Sequence, residues 1–124
     1  MTDSNPTGDR VHIEQLKLDV RIGVPDEERS NTQRLVLNIT VWPKRRFDAL
    51  EDDIDKTINY VELCRSARQL VETRQWKLIE TVAAELAAHL LTTFGLSAAE
   101  VEVRKFVLPN TEYVSATVRR NAAG

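Results

Sequence analysis

Alternating apolar and polar positions mark the first part of the chain. Apolar residues occupy every second position over residues 11–13 and again over residues 16–22, with a change of phase between the two runs. Period-two alternation is typical of a strand with one buried face, and a change of phase indicates a bulge. The pattern therefore predicts one long strand over residues 11–22, with a bulge or a bend near Glu14 and Gln15.

A second strand is predicted a short distance along the chain. Residues 35–41 alternate in the same way, whereas residues 23–32 combine turn formers with charged side chains and are typical of a loop. Because the connection is short, the two strands are expected to pair antiparallel.

Helical spacing replaces the alternation after residue 53. Thr57 or Asn59 is suited to cap a first helix that covers residues 61–73. Its predicted apolar face consists of Val61, Cys64, Ala67, Leu70 and Val71. A break at residues 74–77 precedes a second helix over residues 78–94, and Gly95 is placed to end it.

Two further alternating runs follow the helices. Val101 and Val103 predict one strand, residues 114–118 predict the last, and a compact connector from Phe106 joins them. The order ββααββ predicts an α+β domain, an antiparallel four-stranded sheet with two helices on one face. Because such a sheet has two edges to protect, subunits that join edge to edge in a ring are one solution.

Length and charge narrow the class of protein. The chain has 124 residues, 17 basic and 19 acidic, and a net charge of −2, which indicates one domain and argues against nucleic acid as a partner. We expect a disordered leader over residues 1–9, the domain over residues 10–120 and a tail over residues 121–124. With no apolar run long enough for a membrane span, no secretory signal and only Cys64 as a thiol, a cytoplasmic protein is predicted.

Lys105 is the first candidate for chemistry. It continues the phase of Val101 and Val103, so a strand that reaches it would place its amine on the buried face. A lysine there is costly unless the amine reaches a partner or a pocket, where it is a candidate general base. The alternative is that the strand ends earlier and Lys105 is solvated.

Three more polar residues have a structural and a functional interpretation. Glu28 is either part of a solvated acidic run or a carboxylate that orients a proton shuttle. Glu80 is either a first-turn acid that favours the helix dipole or an acceptor for paired N–H donors of a flat heterocycle. Tyr60 is either a core or interface aromatic, or a residue that stacks on a ligand and supplies a phenolic proton.

Motifs for metals and cofactors are missing from the sequence. His12 and His89 lie far apart without metal-ligand spacing, and no glycine-rich phosphate loop or paired-cysteine motif occurs. We therefore expect no metal and no cofactor, so that any chemistry would use side-chain acids and bases.

Four motifs in order carry a resemblance to a known family. They are residues 22–29 with Gln33, residues 57–60, residues 78–83 and residues 101–105. With these motifs, residues 10–120 resemble the dihydroneopterin aldolases and the related dihydroneopterin triphosphate epimerases. The resemblance implies the tunnelling fold, a ring of four subunits, two rings stacked into an octamer, and active sites between neighbouring subunits.

The resemblance also implies residue roles. Lys105 would be the general acid and base, and Glu28 would hold it. Tyr60 would cover a pterin ring and assist the proton steps. Glu80 and the backbone of Ile79 would bind the aminopyrimidinone edge of the ring.

The implied reaction belongs to folate biosynthesis. A retro-aldol cleavage converts 7,8-dihydroneopterin into 6-hydroxymethyl-7,8-dihydropterin and glycolaldehyde, and the pterin ring takes up the electrons without a metal or a lysine Schiff base. Two other activities stay open, an epimerase that inverts C2′ and a ring protein that binds pterin without catalysis.

The connector departs from the usual aldolase pattern. Phe106 replaces a proline that typical aldolases have after the lysine, and residues 106–113 form a shorter connector that is similar to the epimerase branch. If the substrate is a triphosphate, Arg29, Arg104 or Arg119 is expected to bind its phosphates.

Overall fold

The computed structural model describes residues 8–123. Its elements follow in the order β1 (Val11–Ile22), β2 (Gln33–Trp42), α1 (Tyr60–Glu72), β3 (Gln75–Trp76), α2 (Ile79–Thr93), β4 (Ala98–Lys105) and β5 (Val114–Asn121). Short 3-10 helices occupy residues 26–30, 47–49 and 54–56 in the connections. Residues 1–7 of the predicted leader and residue 124 of the predicted tail lie outside the described residues.

The strands form one sheet in the order β3-β1-β2-β4-β5. The α+β class, the two helices and the antiparallel pairing of the four predicted strands are confirmed, but the predicted count of four strands is corrected. The sheet has five strands, because Gln75 and Trp76 of the predicted break pair in parallel with Arg21 and Ile22. Two residues are too few to show any periodicity, so the pattern could not reveal this strand.

The predicted bulge in β1 is confirmed. Ile13 pairs with Ile39 and Leu16 pairs with Leu37, so β1 holds one more residue than β2 between these pairs. Gln15 adopts a positive φ of 57°, and its backbone N–H donates to Asn38 Oδ1 at 2.7 Å. The bulge returns the apolar positions to the same face of the sheet, so both runs of alternation point into one core.

The core lies between this sheet and both helices. Alternate residues of β2 are fully buried, as are Val101 and Val103 of β4 and the second half of the apolar face of β1, whereas the first apolar residues of β1 are partly buried. On α1 the buried residues are Leu63, Ala67 and Val71, spaced by four. Val61, predicted on this face, is 55% exposed, because a first-turn residue two positions before Leu63 points away from the stripe.

Both helix boundaries agree with the predicted end signals. The Asn59 side chain caps α1 by accepting from the N–H groups of Val61 and Glu62. Gly95 follows α2 with a φ of 58°, the left-handed conformation that glycine adopts without strain. Within residues 8–123, neither helix combines the length and the apolar character that a membrane crossing needs.

The last residue of the predicted leader and the first residues of the predicted tail make contacts with the domain. Asp9 Oδ2 accepts from the N–H of Phe47 at 2.9 Å. Asn121 is the last residue of β5, and the N–H of Ala122 donates to Ser97 O at 2.8 Å. The tail as predicted therefore starts too early, since an asparagine carries no apolar signal that would mark the end of a strand.

We predict that Leu37→Ala lowers the free energy of unfolding by ~2–5 kcal/mol, the usual cost of a cavity in a packed core. Leu37 is fully buried on a central strand, whereas its neighbour Val36 points to the other face and is half-buried. Urea denaturation of Leu37→Ala and of the control Val36→Ala checks this. Equal losses in the two variants would contradict the described orientation of β2.

Candidate functional site

A cleft of about 340 Å³ opens where β4 ends and α2 begins. The loop after β1 forms one wall, the first turn of α2 forms another, and the start of β5 with its connector closes the third. The lining residues are Val24, Pro25, Glu28, Lys77, Leu78, Ile79, Glu80, Lys105, Val107, Val114, Ser115 and Ala116.

An ion pair between Lys105 and Glu28 lies in this cleft. Lys105 Nζ is 2.9 Å from Glu28 Oε2, and the two side chains are 14% and 34% exposed. β4 extends to Lys105, which pairs with Leu35 of β2, so the prediction that this lysine follows the buried phase is confirmed. The amine is not solvated but reaches both a partner and a pocket.

Hydrogen bonds keep the carboxylate of Glu28 charged. Those from Lys105 and Gln33 hold the pKa of Glu28 below its ordinary value, against a smaller effect of burial in the opposite direction. A carboxylate with a lowered pKa contributes stability above its unfolded pKa and loses it as the pH falls through the folded value. The pair is therefore formed at neutral pH and broken in acid.

Gly23 allows Glu28 to approach the strand end. Its φ is +153°, and a Cβ at this position would overlap the side chain of Glu28. The N–H of Gly23 donates to Trp76 O at 3.0 Å, so the two-residue strand β3 fixes the start of the loop. Gln33 Nε2 donates to Ile22 O at 2.7 Å as well as to Glu28, which connects the carboxylate to the end of β1.

The side chain of Arg29 holds the same loop in place through hydrogen bonds to the loop backbone. Its guanidinium donates to Gly23 O at 2.6 Å and to Val24 O at 3.0 Å, and it pairs with Asp26. These contacts occupy the side chain, which is only 13% exposed. Arg29 is thus a structural residue of the loop that carries Glu28.

The first turn of α2 supplies the opposite wall. Ile79 is buried and Glu80 is exposed, and both line the cleft. Leu78, the residue before the helix, makes no side-chain cap, so backbone N–H groups at this end remain for other partners. A carboxylate beside free N–H groups can recognise a ligand that carries donors and acceptors on one edge.

Tyr60 is the predicted site residue that the fold does not bring into the cleft. It begins α1, is 59% exposed and is not among the described residues that line the cleft. Lys105, Glu28, Glu80 and Ile79 do meet there. One chain therefore assembles four of the five predicted residues.

The remaining arginine candidates are also occupied elsewhere. Arg104 bonds to Glu102 and stacks on Tyr113, and Arg119 stacks on Trp42. Neither lines the cleft within the described part of the chain. With Arg29 held in its loop, none of the three predicted arginines is placed to bind a phosphate there.

Sequence reasoning missed several residues of the site. Lys77 lines the cleft and, within residues 8–123, has no hydrogen-bond or ion-pair partner. Val107 and Val114 form an apolar wall beside it. No signal marks Lys77, because a lysine in a short break is ordinary on a surface, whereas its position directly before Leu78 could have indicated the cleft.

The two histidines have ordinary partners. His12 contacts Thr40 Oγ1 and Glu14 Oε1, both at 2.7 Å, and His89 contacts Ser66 Oγ at 2.8 Å. Across residues 8–123, no three His, Cys, Asp or Glu side chains are grouped so that they could hold a metal ion.

The arrangement suits proton transfer to a bound ring compound. An amine held by a carboxylate can take and return a proton at a fixed position, and the apolar wall shields it from water. Glu80 and the start of α2 lie across the same cleft, where the polar edge of a ligand could be held.

Comparisons with known proteins agree with this geometry. The FolB family, described as dihydroneopterin aldolase, matches residues 11–119. The dihydroneopterin aldolase of Haemophilus influenzae is 33% identical over 97 residues, which are 78% of this chain and 82% of that protein. The dihydroneopterin triphosphate 2′-epimerase of Pseudomonas aeruginosa is 31% identical over 112 residues, 88% of this chain and 89% of that protein.

A solved structure extends the likeness to the whole fold. The dihydroneopterin aldolase of Escherichia coli, crystallised in complex with neopterin, superposes with a TM-score of 0.84 at 30% identity. The match covers 91% of this chain and 99% of the other. The family match over residues 11–119 and the likeness in sequence and fold show that the chain belongs to the dihydroneopterin aldolase family.

Proposed function

We propose that the protein is a dihydroneopterin aldolase of folate biosynthesis, which cleaves 7,8-dihydroneopterin into 6-hydroxymethyl-7,8-dihydropterin and glycolaldehyde. The observation that carries the proposal is the ion pair of Lys105 with Glu28, 2.9 Å apart in the cleft that Glu80 also lines. The named aldolases among its relatives and the neopterin complex of one of them support a pterin as ligand.

Lys105 performs both proton transfers in the proposed reaction. The reaction starts once the ammonium of Lys105 has given one proton to solvent. The neutral amine then takes the proton of the C2′ hydroxyl, the C1′–C2′ bond breaks, and the electron pair moves into the C6=N5 imine of the ring. Glycolaldehyde leaves, and the ammonium of Lys105 returns the proton to C1′. Glu28 accepts a hydrogen bond from the nitrogen in both protonation states and so keeps it in place.

The ring is the electron acceptor in this scheme. Because the imine takes up the electron pair of the broken bond, the step as written needs no metal ion and no Schiff base with Lys105. The protein supplies position, a proton carrier and a site shielded from water.

Glu80 and the backbone of Ile79 bind the pterin ring in this proposal. A carboxylate that faces two N–H donors forms a charge-assisted bidentate contact, which fixes the orientation of a flat ring. The donors of the aminopyrimidinone edge match this geometry, and the ring then directs its side chain towards Lys105.

Tyr60 requires a second copy of the chain to reach a ligand. It is exposed and lies outside the cleft of its own chain. Within the described residues no strand pairs with the outer edge of β5, which leaves that edge free for a neighbour. We propose that four subunits form a ring, that two such rings stack into an octamer, and that Tyr60 covers the pterin of an adjacent subunit; light scattering measures the size of the assembly. A cytoplasmic location is part of the same proposal.

An epimerase is the second candidate, favoured by the short connector and by the epimerase from Pseudomonas aeruginosa among the relatives. A triphosphate needs several cations, however, and the cleft offers Lys77 beside the already paired Lys105. Val107 and Val114 make the adjoining wall apolar. These features favour the unphosphorylated substrate and hence the aldolase.

Product analysis with both substrates tests the proposal. The protein is expected to release glycolaldehyde from 7,8-dihydroneopterin, with slower conversion of the triphosphate. Inversion at C2′ of the triphosphate without aldehyde would instead identify an epimerase. Tight binding of pterin without turnover of either compound would indicate a protein that only binds.

Lys105→Ala is expected to lower kcat by more than ~100-fold, the scale of a lost acid and base group. Affinity for neopterin should stay within about tenfold, because Glu80 and α2 still bind the ring. Lys17→Ala on β1, outside the cleft, is the control. Normal turnover by Lys105→Ala would remove this lysine from the mechanism.

Glu80→Ala should mainly weaken binding, since hydrogen bonds to a charged group contribute ~1.5–3 kcal/mol and the ring donors would lose their acceptor. We expect an increase of at least ~10-fold in the Kd of neopterin by calorimetry. Glu85→Ala changes a carboxylate on the same helix that pairs with Arg74 instead. If both variants bind neopterin equally well, Glu80 does not bind the ring.

A further inference from the structure

A chain of polar contacts crosses the sheet on the face opposite the helices. Asn38 Oδ1 accepts from the N–H of Gln15 in the bulge at 2.7 Å, and its Nδ2 donates to Glu102 Oε1 at 2.8 Å. Arg104 Nε donates to the same carboxylate oxygen at 3.1 Å. The contacts therefore run from β1 through β2 to two successive outward positions of β4.

Little of this network is open to solvent. Asn38 is 8% exposed, and the side chains of Glu102 and Arg104 are 21% and 23% exposed. Burial alone would raise the pKa of Glu102, but the hydrogen bonds from Asn38, Arg104 and Ser115 and the charge of Arg104 together outweigh it, so the pKa lies below the ordinary value. A charged carboxylate with several donors holds its partners in one arrangement.

The network ends at the connector between β4 and β5. The Arg104 guanidinium lies over the ring of Tyr113, 4.2 Å from its centroid. Tyr113 meets Phe106 edge to face, with the ring centroids 6.5 Å apart. Phe106 directly follows Lys105, and Tyr113 directly precedes Val114, which pairs with Lys105. The stack of Arg104, Tyr113 and Phe106 therefore closes both ends of the connector.

Among residues 8–123, the connector makes few other contacts with the rest of the domain. Phe106, Val107 and Leu108 are each about half exposed, at 50%, 47% and 53%. Thr111 Oγ1 donates to Leu108 O at 2.9 Å, which is a contact within the connector and does not attach it to the sheet. Without the stack, the segment that follows Lys105 and carries Val107 would gain freedom.

We propose that Arg104 and Tyr113 are positioning residues for Lys105: they fix both ends of the connector and thereby the place of the lysine and of Val107 in the cleft. Only the expected change in kcat rests on the proposed function; the contacts themselves do not depend on it. Neither side chain lines the cleft within the described residues, so both act through Lys105 and the connector.

Tyr113→Leu removes the ring and leaves the Arg104–Glu102 pair intact. We expect kcat for 7,8-dihydroneopterin to fall by ~10-fold or more, since small misplacements of a reacting group cost this much. The Kd of neopterin should change by less than about threefold, because Glu80 is untouched. Tyr113→Phe keeps the ring and should restore kcat, which a role for the hydroxyl group would not allow.

Two arginine variants distinguish an effect on the position of Lys105 from the general loss of a cation–π contact. Arg119 lies over Trp42 at 4.1 Å, near the opposite end of β5. Arg104→Met removes the cation–π contact of an arginine on β4, and Arg119→Met removes that of an arginine on β5. We expect the kcat loss only in Arg104→Met, and equal kcat values in the two variants would overturn the proposal.

The ion pair itself provides a readout that needs no turnover. If Tyr113→Leu loosens Lys105 from Glu28, the Glu28 carboxyl should titrate at higher pH in a carbon-13 NMR titration, and in Arg119→Met it should not. If the wild type releases no glycolaldehyde, the proposed function fails while this titration still decides the positioning role. An unchanged Glu28 midpoint in Tyr113→Leu, with unchanged kcat where turnover exists, would overturn it.

Discussion

The pair of Lys105 and Glu28 sets the main constraint on this structure. Each charge is partly withdrawn from water, which is unfavourable for either group alone, and their contact at 2.9 Å offsets that cost. The lysine belongs to the end of β4 and the glutamate to the loop after β1. The loop after β1 and the end of β4 must therefore lie at the same end of the sheet, at a fixed distance from each other.

Contacts at this end of the sheet allow Glu28 to come within reach of Lys105. Gly23 leaves room for Glu28, and Trp76 of the two-residue strand β3 accepts from its backbone. Gln33 bonds to both Ile22 and Glu28, so the end of β1 and the carboxylate are held by one amide. The loop is ordered by backbone contacts, which leaves its carboxylate available for the lysine.

The patterned parts of the fold were open to prediction from sequence. The bulge, both helices and the phase of Lys105 all follow from periodicity, since burial repeats every second residue in strands and about every fourth in helices. The strand β3 could not be predicted, because two residues have no period. The hydrogen-bond partners of Arg29 and Arg104 could not be predicted either, because a sequence does not show which partner a long charged side chain reaches.

The residues of the candidate site could be predicted from the sequence, but the way the fold brings them together could not. Glu28 and Glu80 come from distant segments, and only the folded sheet brings them beside Lys105. Tyr60 shows the limit of that reasoning, because its own chain leaves it outside the cleft. The network that ends at Tyr113 had no signal, since polar residues that alternate with valines are the expected solvent face of a strand.

A crystal structure of the protein with neopterin tests the central claim most directly. If Lys105 is the acid and base, its Nζ will lie within hydrogen-bond distance of the C2′ hydroxyl, and the Glu80 carboxylate will accept from the N–H donors of the ring. A pterin bound in the opposite orientation, or bound elsewhere with its side chain remote from Lys105, would contradict the account.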